Sequence, residues 1–190
     1  MKESRLEFAK EWHQRGMQSL KDDKPFESFI YNWLALTIAA KTHKSFNVRS
    51  TKDGTNTDKE DILFWVKYNT ELVMSIMQKH IEDMRVLSER TGAELKETII
   101  DIKESNQREF ILEKHQEFSG FLLNENGHQH AHKKDINKTL IYILNRIRNN
   151  LFHGEKSYNV QSDRELLETV CPILNELTKN CILDLIRIIR

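Results

Sequence analysis

The chain is poor in the residues that cross-link loops or interrupt helices. Two cysteines in 190 residues are too few for a disulfide framework. Both Cys171 and Cys181 fall in a predicted helix, so they are expected to be reduced, buried apolar residues, as in a cytosolic protein. Formal net charge is zero. The chain therefore carries no global signal for nucleic acid, and any anion site must be a local patch. No apolar run approaches the length of a membrane span. Met1–Arg5 leads into an amphipathic, acid-containing segment and does not read as a signal peptide. Internal repeats and low-complexity tracts are also lacking. With only two prolines, 31% charged residues and 38% hydrophobic residues, the sequence reads as a cytoplasmic helical protein. Its length suits one domain over 1–190 with a sizeable core.

Helical spacing is present over most of the chain. Leu6, Ala9, Trp12, Met17 and Leu20 recur at intervals that predict a first helix, which Gly16 weakens only locally. Asp23 can cap and Pro25 fits a first turn, so Lys21–Pro25 reads as a stop and restart. Phe26, Phe29, Ile30, Trp33, Leu34, Thr37 and Ile38 give the next helix a broad apolar face. Within it, Phe29 and Trp33 read as a core pair and not as base-stacking residues. Residues 43–56 are polar and read as a connection, with Asp53-Gly54 as a turn signal. Thr57-Asp58-Lys59-Glu60 is a capping box. It opens an apolar pattern from Ile62 to Leu87, read as one helix or as two with a break near Asn69-Thr70. Residues 92–133 are less regular and read as an elaboration between early and late bundle helices. Lys134–Phe152 then forms a helix with a core stripe of Ile136, Leu140, Ile143, Leu144, Ile147 and Leu151. Ser162-Asp163-Arg164-Glu165 reads as a second capping box for a final helix, which Pro172 should kink or split. The fold class expected is all-α, an antiparallel helical bundle.

The chemistry gathers at the end of the Lys134–Phe152 helix, in Arg148-Asn149-Asn150-Leu151-Phe152-His153-Gly154. Continued as a regular helix, the Arg148-to-His153 offset gives about 500° of rotation and roughly 7.5 Å of rise. Both side chains then leave one helix end and can meet a common phosphate if a second surface closes over it. Arginine suits a phosphoryl group because its planar fork donates parallel hydrogen bonds. Histidine suits proton transfer because its ordinary pKa lies near neutrality. Gly154 can take the left-handed conformation that ends a helix. Read structurally instead, Arg148 pairs with a carboxylate and His153 is a helix-end histidine favoured by the macrodipole.

This stretch resembles the R-x(4–6)-H signature of the HEPN superfamily, small helical domains that include many RNases. Asn149 matches the polar residue that usually follows the arginine. The segment around Trp33 is similar to an aromatic-rich early helix of such domains, and the helix from about Ser162 to their last one. The resemblance implies metal-independent RNA cleavage by 2′-hydroxyl attack, leaving a 2′,3′-cyclic phosphate. Arg148, His153 and Asn149 are then the catalytic residues: His153 moves the proton, Arg148 stabilises the phosphorane, and Asn149 orients one or the other. Arg146 also satisfies the spacing to His153, and the polar Asn149 after Arg148 favours Arg148. One histidine per chain implies a homodimer in which two motifs face one cleft through this helix. No cofactor is implied. Partners would be RNA and, for a toxin or defence effector, an antitoxin protein. Some HEPN toxins carry a modified tyrosine two residues after the histidine. Here that position is Glu155, with Tyr158 nearest.

From Lys133 to Arg164 seven basic residues face three acidic ones. Arg146, Asn150, Lys156, Lys138 and Arg164 are accordingly candidate RNA contacts, with a salt-sensitive affinity expected. A second run, His128, His130 and His132, is a weak metal-ligand candidate, since no cysteine lies nearby and the chain lacks H-E-x-x-H. Two other readings remain: a non-catalytic module of the same fold that binds nucleotide, RNA or protein, and a metal-binding helical protein.

Overall fold

The computed structural model describes residues 2–47, 57–87, 90, 133–152 and 161–189, and every described element is helical. In chain order they are α1 (Lys2–Lys21), α2 (Pro25–Asn47), α3 (Asp58–Tyr68), α4 (Thr70–Lys79), a short helical run over 81–87, α5 (Lys133–Phe152) and α6 (Gln161–Ile189). The expected all-α bundle is what the chain forms. Among the described residues no helix is long and apolar enough to cross a membrane. Most of the 92–133 elaboration and the histidine run at 128–132 lie outside the described residues.

α2 is the centre. It packs against α1, α3 and α6, so most of its circumference is enclosed, the polar Ser28, Asn32, Thr42 and His43 included. Phe29, Trp33, Ala35, Leu36, Ala39 and Ala40 are buried around its circumference. The expected Phe29–Trp33 core pair is present, its rings nearly parallel with centroids 6.4 Å apart. The alanines let neighbouring backbones approach. α1 offers a matching narrow stripe of Leu6, Ala9, His13, Gly16 and Ser19. Trp12 meets Tyr31 while Ser19 reaches Glu27, so α1 and α2 run antiparallel. On the other side Cys171 bonds Pro25 and Thr178 bonds Asn32 at the same offset of 146 residues, so α2 and α6 run parallel. α5 leans on α3 and α4. Its Arg148 lies near Asp58 and its Asn137 bonds Thr70, which makes it antiparallel to both.

Several boundaries differ from expectation. Asp23 adopts φ 59° and closes α1. Lys24 N–H bonds the Ser19 carbonyl at 2.8 Å and Asp23 N–H that of Leu20 at 3.3 Å, the paired pattern of a Schellman end. α2 continues through the polar stretch to Asn47, because His43 and Thr42 are buried there. The Thr57 capping box forms in both directions, and the break at Asn69 is present. A further break stands at His80, which the apolar spacing does not mark. Ser162 lies inside α6, which begins at Gln161, and the Glu165 carboxylate bonds Arg90 and Gln161 instead of capping. α6 runs unsplit through Pro172, with Val170, Cys171, Ile173 and Leu174 buried around it. Packing on both sides of the proline outweighs the hydrogen bond it removes.

Candidate functional site

α5 carries the motif because its apolar stripe fixes its rotation. Ile136, Leu140, Ile143, Leu144, Ile147 and Leu151 are all buried, joined by Ile141. That turns Lys138, Tyr142, Asn145, Asn149 and Phe152 to the less buried side, at alternating steps of four and three residues. Arg148 stands at the edge of this face, with its side chain 32% exposed.

Among the described residues, three neighbours define the arginine. Its Nη1 donates to the Asn149 side-chain oxygen at 3.0 Å. Its guanidinium carbon lies 4.6 Å from the centroid of the Phe152 ring. Its Nη2 is 3.8 Å from a carboxylate oxygen of Asp58, the first residue of α3. That last distance is an ion pair without a hydrogen bond, since N–H···O bonds fall near 2.7–3.2 Å. Nε is buried with no partner. The cation is therefore oriented by an amide and a ring while its charge is only loosely compensated. A phosphate would be taken by the remaining Nη donors and not by the buried Nε.

Asn149 lies against Arg148, and its side-chain oxygen is occupied by the arginine. Arg146 and Asn150 sit half-buried on the same two turns. Lys138 is exposed on the same helix, ten residues earlier and so about 15 Å up the axis. Arg164 belongs to another group. It bonds Asp23 at 2.6 Å and Glu168 at 2.8 Å, tying the start of α6 to the α1–α2 turn, and the Asp23 hydrogen bond raises its pKa first. His153, Gly154, Glu155, Lys156 and Tyr158 lie outside the described residues, as do His128, His130 and His132.

Sequence reading missed two things. One is the set of partners around Arg148, because nothing in the spacing links Asp58 to a residue so far along the chain. The other is a part-buried polar knot. Asp184 Oδ2 takes His43 Nε2 at 3.1 Å, Trp65 Nε1 at 3.2 Å and Asn69 Nδ2 at 3.3 Å. His43 Nδ1 faces the Asn47 amide nitrogen at 3.3 Å. These partners require an imidazole that donates from Nε2 and accepts at Nδ1, which is the neutral form. Burial lowers the His43 pKa and outweighs the raising effect of Asp184. The knot pins α2, α3 and α6 together, and a neutral, enclosed histidine is a poor candidate for proton transfer to a large substrate.

Comparison with protein-family models, with characterised proteins and with solved structures gave no match in any of the three.

Proposed function

We propose that the chain is a metal-independent endoribonuclease of HEPN type, acting on RNA as a homodimer, in the manner of a toxin or defence effector. The observation that carries this reading is the state of Arg148: positioned by Asn149 and Phe152, one-third exposed, and, among the described residues, with no carboxylate nearer than that of Asp58 at 3.8 Å. In the proposed reaction the 2′-hydroxyl attacks the adjacent phosphorus, the P–O5′ bond breaks, and the 5′-oxygen leaves with a proton. Arg148 neutralises the phosphorane's added negative charge. His153 transfers the proton, and a second copy supplies the second histidine, so that one acts as base and the other as acid. The less buried side of α5, from Lys138 through Tyr142, Asn145 and Asn149 to Phe152, is the surface on which two copies would meet.

The test is cleavage of end-labelled RNA in EDTA by the wild type, Arg148→Gln and His153→Ala, each checked for folding by circular dichroism. The expected result is 2′,3′-cyclic phosphate ends from the wild type and a loss of at least about a hundredfold in both variants. A folded wild type that cuts no RNA leaves the second reading, a binding module of the same fold. The Asp58–Arg148 ion pair supports that alternative, since it gives the arginine a structural partner.

A further inference from the structure

One side of α2 is apolar where a bundle helix is ordinarily charged. Glu27, Ile30, Leu34, Ile38 and Lys41 lie along it. At 100° per residue all five fall within about 40° of Leu34. Asn32, which bonds His13 of α1, and His43, which bonds Asp184 of α6, point about 160–180° the other way. Ile30, Leu34 and Ile38 are half-buried, and the charges at the two ends are exposed. A helix at a protein surface normally turns charged side chains outward. Here successive outward turns carry branched apolar ones. α1 widens the patch: its Trp12 ring lies 5.4 Å from that of Tyr31, and Phe8, one turn before Trp12, is 54% exposed.

The order of these residues is symmetric about Leu34. An isoleucine stands four positions away in each direction, and a charge seven positions away in each, negative before and positive after. Laid antiparallel on a second copy of itself and crossing at Leu34, the stripe is its own complement. Ile30 then faces Ile38 of the second copy, and Glu27 faces its Lys41, twice over. A parallel pairing would set like charges together. Within one chain Glu27 and Lys41 are about 21 Å apart along the axis, beyond the range at which exposed charges compensate one another in physiological salt. The row of Ile30, Leu34 and Ile38 is also an i, i+4 ridge, which seats in the grooves of a facing helix. We propose that this face of α2 docks a second copy of the chain, antiparallel about a twofold axis through Leu34, with Phe8, Trp12 and Tyr31 at the rim. An interface of standard size buries about 1,600 Å² in total, more than one helix stripe supplies, and the three rings extend it. The contact is separate from the surface assigned to α5. Alone it makes a dimer, and together with the α5 contact it joins dimers into larger assemblies.

The measurement is the mass of the full chain by sedimentation velocity over a concentration series, with folding checked by circular dichroism. Glu27→Lys and Lys41→Glu each set like charges opposite one another, twice per interface. Each is expected to weaken self-association about tenfold. Combined in one chain they restore opposite pairs, and affinity should return to within about threefold of the wild type. Both sites are exposed, so folding is not at stake. Leu34→Cys places a thiol beside the axis and should form a covalent dimer under mild oxidation, because Cys171 and Cys181 are buried. Gln14→Cys, exposed on α1, should cross-link far less. Restoration by the double reversal together with cross-linking at Leu34→Cys sustains the proposal. A wild type that is monomeric at every concentration, single reversals that leave its mass unchanged, a double reversal no better than the singles, or a Leu34→Cys chain that does not cross-link overturns it. These readouts are mass and not cleavage, so a chain that cuts no RNA leaves the α2 contact standing, and Phe152→Glu reports the α5 contact separately.

Discussion

Gly16→Ala should destabilise this protein, against the usual rule for a glycine inside a helix. By propensity alone the substitution gains about 1 kcal/mol. Here the new Cβ would stand 2.5 Å from the Asn32 amide nitrogen, 2.8 Å from its Cγ and 3.0 Å from its oxygen. Ordinary contact needs roughly 0.5–1 Å more. Asn32 cannot swing aside cheaply. Its oxygen accepts from His13 Nδ1 at 2.9 Å and its amide donates to the Ser28 carbonyl at 3.0 Å, all fully enclosed. Its backbone carbonyl is held by Thr178 of α6. Either α1 lifts from α2, an overpacking cost of about 1–3 kcal/mol, or Asn32 rotates and strands His13, which costs about 1–3 kcal/mol per buried group. After the propensity gain is subtracted, a net loss of up to about 2 kcal/mol remains, or a Tm lower by up to roughly 8 °C for a chain of this size. Urea unfolding followed by circular dichroism reads it directly. In an Asn32→Ala background the clash is gone and Gly16→Ala should become stabilising, so the double-mutant cycle has a coupling of opposite sign to the single effect. Gly16→Ala as stable as the wild type, or more so, would refute the argument.

Acid should loosen the fold through two enclosed histidines. Burial first holds the pKa of both His13 and His43 below the ordinary value of 6.5. The unfolded chain therefore binds more protons on acidification, and the contribution is complete above pH 6.5 and lost as pH falls through the folded values. Urea midpoints at pH 7.5 and 5.0 should differ, and His43→Gln should shrink the difference; an unchanged difference in both His13→Gln and His43→Gln contradicts the assignment. Asp184→Ala leaves the Trp65 and His43 donors without their acceptor and is expected to cost about 2–4 kcal/mol in chemical unfolding, whereas a loss under 0.5 kcal/mol would mean the knot is dispensable. Cys171, whose thiol burial pushes up to about 12, and Cys181, raised well above its ordinary value, should resist a thiol reagent at pH 8 until the chain is denatured. Rapid labelling of the native protein would show that α6 is not packed as described.

The amino-acid order by itself determined where the main helices lie and which stripe they bury, though not all of their boundaries. The α5 stripe from Ile136 to Leu151 is legible because periodicity is a one-dimensional signal, and the Thr57 capping box because its partners are three residues apart. It also singled out Arg148 and Asn149, since a polar cluster at the end of an apolar helix stands out locally. Tertiary structure alone decided what surrounds them: Asp58 and Phe152 around Arg148, the Asp184 knot joining residues more than a hundred positions apart, and Arg164 drawn away to Asp23. It decided too that Gly16 is a contact point rather than a weak spot, and that α6 passes Pro172 unbroken. Local energies of about 1 kcal/mol set helix starts and stops, but where two helices meet, packing and buried hydrogen bonds of larger sum override them.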